Sequence, residues 1–417
     1  MFKIKLIIII FNTLFIFINV INLNIFIEIN FISRTLIGMS KFDKLISRFH
    51  TDSVRWDKYN KDIIPLWVAD MDFETPQCVI DAMTKRLDHK VFGYTHAPDR
   101  LKEEITRYIH DQFNWSIDPE WIVFTPSLVS SLYSIAQQVT QSDEHVLTLQ
   151  PVYHHILQAA SFSNRDFSAV PLETDNRRLI LSEDGLKHYQ QKNTRLLLFC
   201  NPHNPGGSVY SQAELNDIAA FCVNNDIVIC SDEIHCNMVH AGHQHIPIAS
   251  LSDDIADQSI TLMSLNKVFN IPGAGLAWMI CKNKDMRKKI HAQIGTLIPD
   301  PQIFSYISTQ AALHHGEPWR RELIQYLENN KKLLQTHITE MQPLELYTME
   351  ASYLAWIDCS QLRTKDPSQL FLDHGLALQP GSMFQQDDHV RINIATPKSI
   401  LSEALNRMHA AIDRLQG

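Results

Sequence analysis

Short apolar runs alternate with helix-periodic stretches along most of this chain. "RLLLFCNP" (Arg195–Pro202) is a compact apolar run that stops at an Asn-Pro step, the pattern of a buried strand ended by a turn. Gly206 and Gly207 supply the turn. Ser211 with Glu214 three residues later predicts a capping box, and apolar residues at 215, 218, 219 and 222 predict a helix behind it. "DIVICSDEIH" and "SITLMSLNK" follow as two more apolar strands. Strands this uniformly apolar, in β-α-β-β order, predict an α/β fold with a mostly parallel sheet covered by helices on both faces. Such sheets bind ligands beyond the carboxyl ends of their strands, and those are the positions of Asn201, Asn204, Asp232, Ser264 and Lys267. Earlier, Thr125–Val139 ("TPSLVSSLYSIAQQV") reads as a strand entering a helix whose free N–H groups favour an anion. Beyond about residue 300 the texture changes. "PWRRELIQYLENNKKLLQTHITEM" is one long amphipathic helix, and "ASYLAWIDC" and "HVRINIA" read as alternating strands of a second, smaller domain.

The first 38 residues do not share this texture. They are almost wholly Ile, Phe, Asn, Leu and Lys, with no alanine and with Gly38 as their one glycine. Asn12, Asn19, Asn22 and Asn24 interrupt the apolar run, and no small-residue cleavage site follows it. The expectation is an upstream extension, with the folded protein starting at Met39; an apolar leader or membrane anchor is the alternative.

A net charge of −9 argues against nucleic acid or an anionic membrane as the main partner. The seven cysteines are an odd number without a C-x-x-C pair, so reduced thiols in a cytoplasmic protein are expected rather than a disulfide frame.

Three features carry chemistry. Lys267 interrupts the apolar stretch "MSLNKVFNIPGAG", where an ammonium group costs free energy unless it is paired or loses its charge; a desolvated lysine of this kind is an imine-forming amine. Asp232 ends a buried strand at the open end of the sheet, suited to a protonated pyridine nitrogen. "NPHNPGG" projects amides into the same crevice. Each has a plainer explanation taken singly: a surface lysine, a helix cap, a sharp turn. Together they fit one cofactor, pyridoxal phosphate. A zinc site in "HCNMVHAGHQH" is disfavoured because its spacing matches no standard ligand pattern, so no metal is expected. An effector-binding regulator would need a DNA-binding domain that the acidic remainder does not supply.

The segments "PLWVADMDF" (65–73), "FGYT" (92–95), "PVYHHI" (151–156), "NPHNPGG" (201–207), "SDEIH" (231–235), "SLNKVFNIPG" (264–273), "SYLAWID" (352–358) and "HVRINIA" (389–395) resemble the class I/II aminotransferase family of fold-type I pyridoxal phosphate enzymes, nearest to the MalY/PatB-type cystathionine β-lyase subgroup. The resemblance implies a large domain (86–300) with a mostly parallel seven-stranded sheet, and a smaller α+β domain built from 39–85 and 301–417. It implies that Lys267 holds the cofactor covalently, that Asp232 pairs with its ring nitrogen, and that Asn204 bonds its phenolic oxygen. His235 stands where many aminotransferases carry a tyrosine for that oxygen. Tyr153 matches the aromatic stacked on the ring. Leu128 and Val129 amides with Ser264 match the phosphate cradle, and Tyr94 a tyrosine reaching the neighbouring subunit's phosphate in a homodimer. Arg391 matches the clamp on the substrate carboxylate, and the Ala69 backbone the segment that closes over the substrate. The implied activity is β-elimination from an L-cysteine S-conjugate, with transamination as the alternative. Two positions depart from the aminotransferase pattern: Asn266 replaces a small residue before the lysine, and Gly275 replaces an arginine near the phosphate. The second favours the lyase.

Overall fold

A seven-stranded sheet organises the protein. In chain order its strands are β1 (Ile122–Thr125), β2 (His145–Gln150), β3 (Asp166–Pro171), β4 (Thr194–Cys200), β5 (Val228–Asp232), β6 (Ser259–Met263) and β7 (Ala277–Ile280). Their spatial order is β1-β7-β6-β5-β4-β2-β3. All neighbouring pairs are parallel except those of β7, which runs antiparallel to both β1 and β6. Every residue of β5 and β6 is buried, as their apolar sequences require of strands covered on both faces. The helices Leu128–Val139 (α1), His154–Phe162 (α2) and Gln212–Asn224 (α3) pack their apolar sides into this core. At the head of α3 the predicted capping box is formed: Glu214 N–H donates to Ser211 Oγ, and Ser211 N–H donates to the Glu214 carboxylate.

This computed structural model describes residues 40–416. The apolar prefix and the expected start at Met39 therefore lie outside the described residues. The chain divides into two units, Met1–Leu45 and Ile46–Gly417. In the first, Ser40 caps the short turn Lys41–Asp43. Among the described residues no helix is long and apolar enough to cross a membrane.

A second, antiparallel sheet of four strands lies in the C-terminal part: β8 (Glu345–Leu346), β9 (Leu354–Asp358), β10 (Gln379–Pro380) and β11 (His389–Asn393), in the order β8-β9-β11-β10. It follows the predicted long helix, α4 (Glu317–Glu340), and precedes the C-terminal helix α5 (Lys398–Gln416). The sequence predicted alternating strands here, and all of β11 is buried. The alternation is real; its polar side faces protein. Asn393 Nδ2 donates to Val68 O and Asp70 O, and Arg391 donates to Trp67 O, so the polar positions of β11 hold the chain near residues 67–70.

A buried charge network fixes that same segment. Arg55, fully buried, donates through Nε to Pro65 O and lies 3.3 Å from Asp70 and 2.9 Å from Asp72, the latter at an angle too bent for a hydrogen bond. Asp72 also accepts from Arg48 and from Trp56 Nε1. Removing one member leaves a charge without its counter-ion, the costly way to break such a network. Asp72→Ala is expected to destabilise the protein by about 3 kcal/mol, read as a lower urea midpoint at unchanged denaturant slope.

Candidate active site

The antiparallel insertion of β7 explains where the site lies. Because β7 reverses against both neighbours, β1 runs parallel to β6, and the carboxyl ends of β1, β4, β5 and β6 share one edge with the start of β7. The loops leaving that edge enclose a cavity of about 240 Å³. It is lined by Ala69, Leu128, Val129, Tyr153, Asn204, Asp232, His235, Lys267 and Arg391, nine of the eleven residues singled out from the sequence. These come from positions more than 300 residues apart, between Ala69 and Arg391, and converge only through the topology.

Each side chain has a local reason for its place. Asp232 is the last residue of β5; one carboxylate oxygen accepts from Ile234 N–H at 3.1 Å. Asn204 sits in the turn after β4, and its carbonyl accepts from Tyr153 N–H at 3.0 Å, coupling the two residues. That turn is locked by His203, which donates from Nε2 to Pro151 O and accepts from Gly206 N–H at Nδ1. Gly207 has φ +76°, a left-handed conformation that any other residue adopts at a cost. Asn201 turns away from the cavity, donating to Ile246 O and accepting from Tyr210 N–H.

Lys267 Nζ donates to Ala69 O at 2.8 Å, and the buried Tyr353 hydroxyl donates to the same oxygen at 3.0 Å. Asn270, three residues on at φ +54°, acts like a short strand against the same segment. Its amide accepts from Met71 N–H and donates to Met71 O and Phe73 O. Tyr353 and Asn270 both lie in segments quoted above but received no role there. Their signal is geometric, a hydroxyl and an amide matched to a distant backbone, and spacing does not reveal it.

The electrostatics follow from enclosure. Lys267 lines the cavity and is held down to about 8, by desolvation first and then by the Arg391 charge, against the opposing pull of Asp70 and Asp232. Asp232 is pushed up to about 7, chiefly by burial. His235 is driven down to about 3 by burial and the nearby cations, so its ring is neutral, with a buried Nδ1 that has no partner. Arg391 is 4% exposed and lowered to about 10 by burial. It donates to Asn204 Oδ1 at 3.0 Å and to Trp67 O, while its Nε is buried without a partner. Among the described residues no carboxylate pairs with it. A buried guanidinium in that condition is poised for an anionic ligand.

A second anion position lies at the start of α1. Ser127, Leu128 and Val129 line the cavity, and Ser127 at the N-cap makes no side-chain capping bond, so the first-turn N–H groups remain available. Gly275 lines the cavity beside them. A Cβ at Gly275 would stand 2.9 Å from Pro126 O, so the start of β7 packs against this turn too closely for any side chain. Asn266 also lines the cavity, its Oδ1 accepting from Leu276 N–H at 3.4 Å.

Two expected site residues do not line the cavity. Ser264 Oγ donates to Leu276 O and accepts from Asn266 N–H, so its hydroxyl shapes the loop before Lys267 instead of facing a ligand. Tyr94 is fully exposed. Cys200, the last residue of β4, packs in the core and also lines the cavity. The histidines of "HCNMVHAGHQH" go to separate partners: His235 to the cavity, His240 to Ser352 O and Glu328, His245 to Glu233.

The arrangement fits a phosphorylated pyridine aldehyde. It offers a low-pKa amine, a buried carboxyl, a neutral imidazole with an unpartnered nitrogen, an aromatic ring, a helix N-terminus and a guanidinium, all around one cavity. The comparisons agree. The aminotransferase class I and II model matches residues 61–408. Cystathionine beta-lyase PatB of Bacillus subtilis is 33% identical over 384 residues, covering 89% of this chain and 99% of PatB. The crystal structure of OvoB superposes with a TM-score of 0.87 at 39% identity, over 89% of this chain and 99% of that one. The PLP-bound C-S lyase of Staphylococcus hominis gives 0.84 at 29%, over 90% and 98%. With its sheet, its cavity and most of its length accounted for in this way, the chain belongs to the class I and II aminotransferase family.

Proposed function

We propose that the protein is a pyridoxal phosphate-dependent carbon–sulfur β-lyase acting on an L-amino acid with sulfur on its β-carbon. The observation that carries this is the meeting of Lys267, Asp232, Asn204 and Arg391 around one 240 Å³ cavity beside a free helix N-terminus, in a chain similar to a cystathionine β-lyase and a C–S lyase over nearly its whole folded length. When bound, pyridoxal phosphate supplies an aldehyde that condenses with amines and a ring that draws an electron pair from the substrate Cα.

The chain's own residues divide the remaining work. Lys267 holds the cofactor, and its Nζ, with a pKa near 8, takes the Cα proton as general base at neutral to mildly alkaline pH. Asp232 would hold the cofactor's ring nitrogen and favour the protonated form. Asn204 and His235 would hold its phenolic oxygen, and Tyr153 would hold its ring. The α1 N–H groups of Leu128 and Val129 take the phosphate. Arg391 would bind the substrate carboxylate and so orient its Cα, an effect worth several kcal/mol in favourable cases. Ala69, whose O is the resting partner of Lys267 Nζ, belongs to the segment that would close over the substrate. Loss of the thiolate from Cβ then gives pyruvate and ammonia after hydrolysis.

The protein works as a homodimer in this proposal, with Tyr94 serving the partner's phosphate; its full exposure, beside exposed Leu87, Val91 and Phe92, supports that role. Seven thiols without a disulfide support a reducing, cytoplasmic setting.

Aminotransfer is the second reading, favoured by the family model itself, because both reactions share every residue through proton removal. L-cystathionine separates them. The lyase releases pyruvate and a thiol without any 2-oxo acid; strict dependence on a 2-oxo acid overturns the proposal in favour of transamination. Lys267→Ala is expected to abolish either activity.

Asp232→Asn gives a test with two readouts. A carboxyl raised from 3.8 to about 7 favours folding below its unfolded pKa, and that contribution is lost as pH rises toward 7. In cofactor-free protein the asparagine variant, which cannot ionise, should therefore gain stability over the parent between pH 4 and 8, by about 2–4 kcal/mol. Its turnover should fall by about two orders of magnitude or more, about 3 kcal/mol or more of barrier, because the ring nitrogen loses its proton partner.

A further inference from the structure

We propose that His337, Glu340 and His409 form a binding site for a divalent transition metal, zinc by the chemistry of its donors, that clips the end of α4 to α5. One donor atom from each residue lies within 4.8 Å of the other two. His337 and Glu340 stand three apart in the last turn of α4, hence on one face of the helix. His409 projects from α5, which packs against α4. The two imidazole centroids are 5.6 Å apart, with the rings inclined at 66° in an edge-to-face arrangement. His337 Nδ1 is buried and has no hydrogen-bond partner.

Two imidazole nitrogens and one carboxylate make a donor set that suits zinc and excludes calcium and magnesium, which demand oxygen. Metal–ligand bonds of about 2.0–2.1 Å place tetrahedral donors about 3.3 Å apart, within side-chain rotation of the observed spacing. A fourth position would be left to water. The backbone adds a reason. Glu340 ends α4, where the helix dipole disfavours a carboxylate, and a bound cation offsets that repulsion. His337 alone would ease the dipole, but a dipole role explains neither the approach of His409 nor the unpartnered Nδ1. None of the three lines the cavity, so the site is independent of the catalytic chemistry. The histidine-rich segment 235–245 drew attention to metals in the sequence; these three residues come from two separate helices and share no motif.

The test uses the cofactor-loaded full chain, freed of metal by chelator and titrated with Zn²⁺. The parent should bind one more equivalent than His337→Gln/His409→Gln, and Zn²⁺ should raise its thermal midpoint by a few degrees, a shift absent from the double variant. Glu340→Gln, at an exposed position that folding does not require, should weaken zinc affinity at least tenfold. His243→Gln, an exposed histidine elsewhere, should leave the extra equivalent in place. Equal zinc stoichiometry in the parent and the double variant, or loss of the extra equivalent in His243→Gln, overturns the site. An unchanged thermal midpoint on zinc binding overturns the clip.

Discussion

The governing constraint is charge enclosed at the carboxyl edge of the sheet without full compensation. Arg391 has no carboxylate partner among the described residues, Lys267 is answered by a backbone carbonyl, and Asp232 holds one peptide N–H. Desolvation is the first cause of the shift in each. In a protein built for stability alone, apolar side chains of like volume would serve better. The cost is tolerated because each group lacks the partner that a ligand would bring: an anion for Arg391, a carbonyl carbon for Lys267, a protonated ring nitrogen for Asp232. Their depressed and raised pKa values are two signs of the same unfilled demand.

The surrounding structure serves to keep that demand in place. Residues 65–73 form a strap at the edge, held by buried Leu66, Met71 and Phe73 and also by directional bonds. Asn393, Arg391, Asn270 and Tyr353 all bond its backbone, while Arg55 and Arg48 grip Asp70 and Asp72. A strap secured by directional bonds has a defined register, so Ala69 O meets Lys267 Nζ and not a neighbouring carbonyl. The same bonds make β11 a strand with two demanding faces, Val390 and Ile392 in apolar packing and Arg391 and Asn393 on the strap, which accounts for its burial despite its polar alternation.

Much of this was legible in sequence because it is local. The strand–turn–helix from Arg195 to Asn224, with its capping box at Ser211, follows from periodicity and turn chemistry within about thirty residues. The carboxyl-end rule also picked out Asp232 and Lys267, which line the cavity, together with Ser264, which does not. What failed to read was non-local or conformational. Ser264 and Asn266 are both polar residues in the loop before Lys267, and only backbone geometry decides that Ser264 Oγ turns to Leu276 O while Asn266 lines the cavity. The strap bonds of Asn270 and Tyr353 span some 200 and 280 residues and leave no periodic trace.

Gly275 joins the fold to the chemistry most directly. The contact of 2.9 Å between its absent Cβ and Pro126 O means that β7 begins hard against the turn that opens α1. An arginine at this position would displace that turn, and with it the N–H groups of Leu128 and Val129. In this packing a guanidinium at position 275 would crowd the helix start, which carries about half a positive charge. This chain has the close-packed helix start. Peptide N–H groups in a fixed turn hold an anion by direction more than by net charge, and their grip is therefore less sensitive to salt than that of an exposed guanidinium. It also leaves the space above the turn free of side chain, so that Asn266 and Gly275, the two departures from the aminotransferase pattern, are parts of one packing solution.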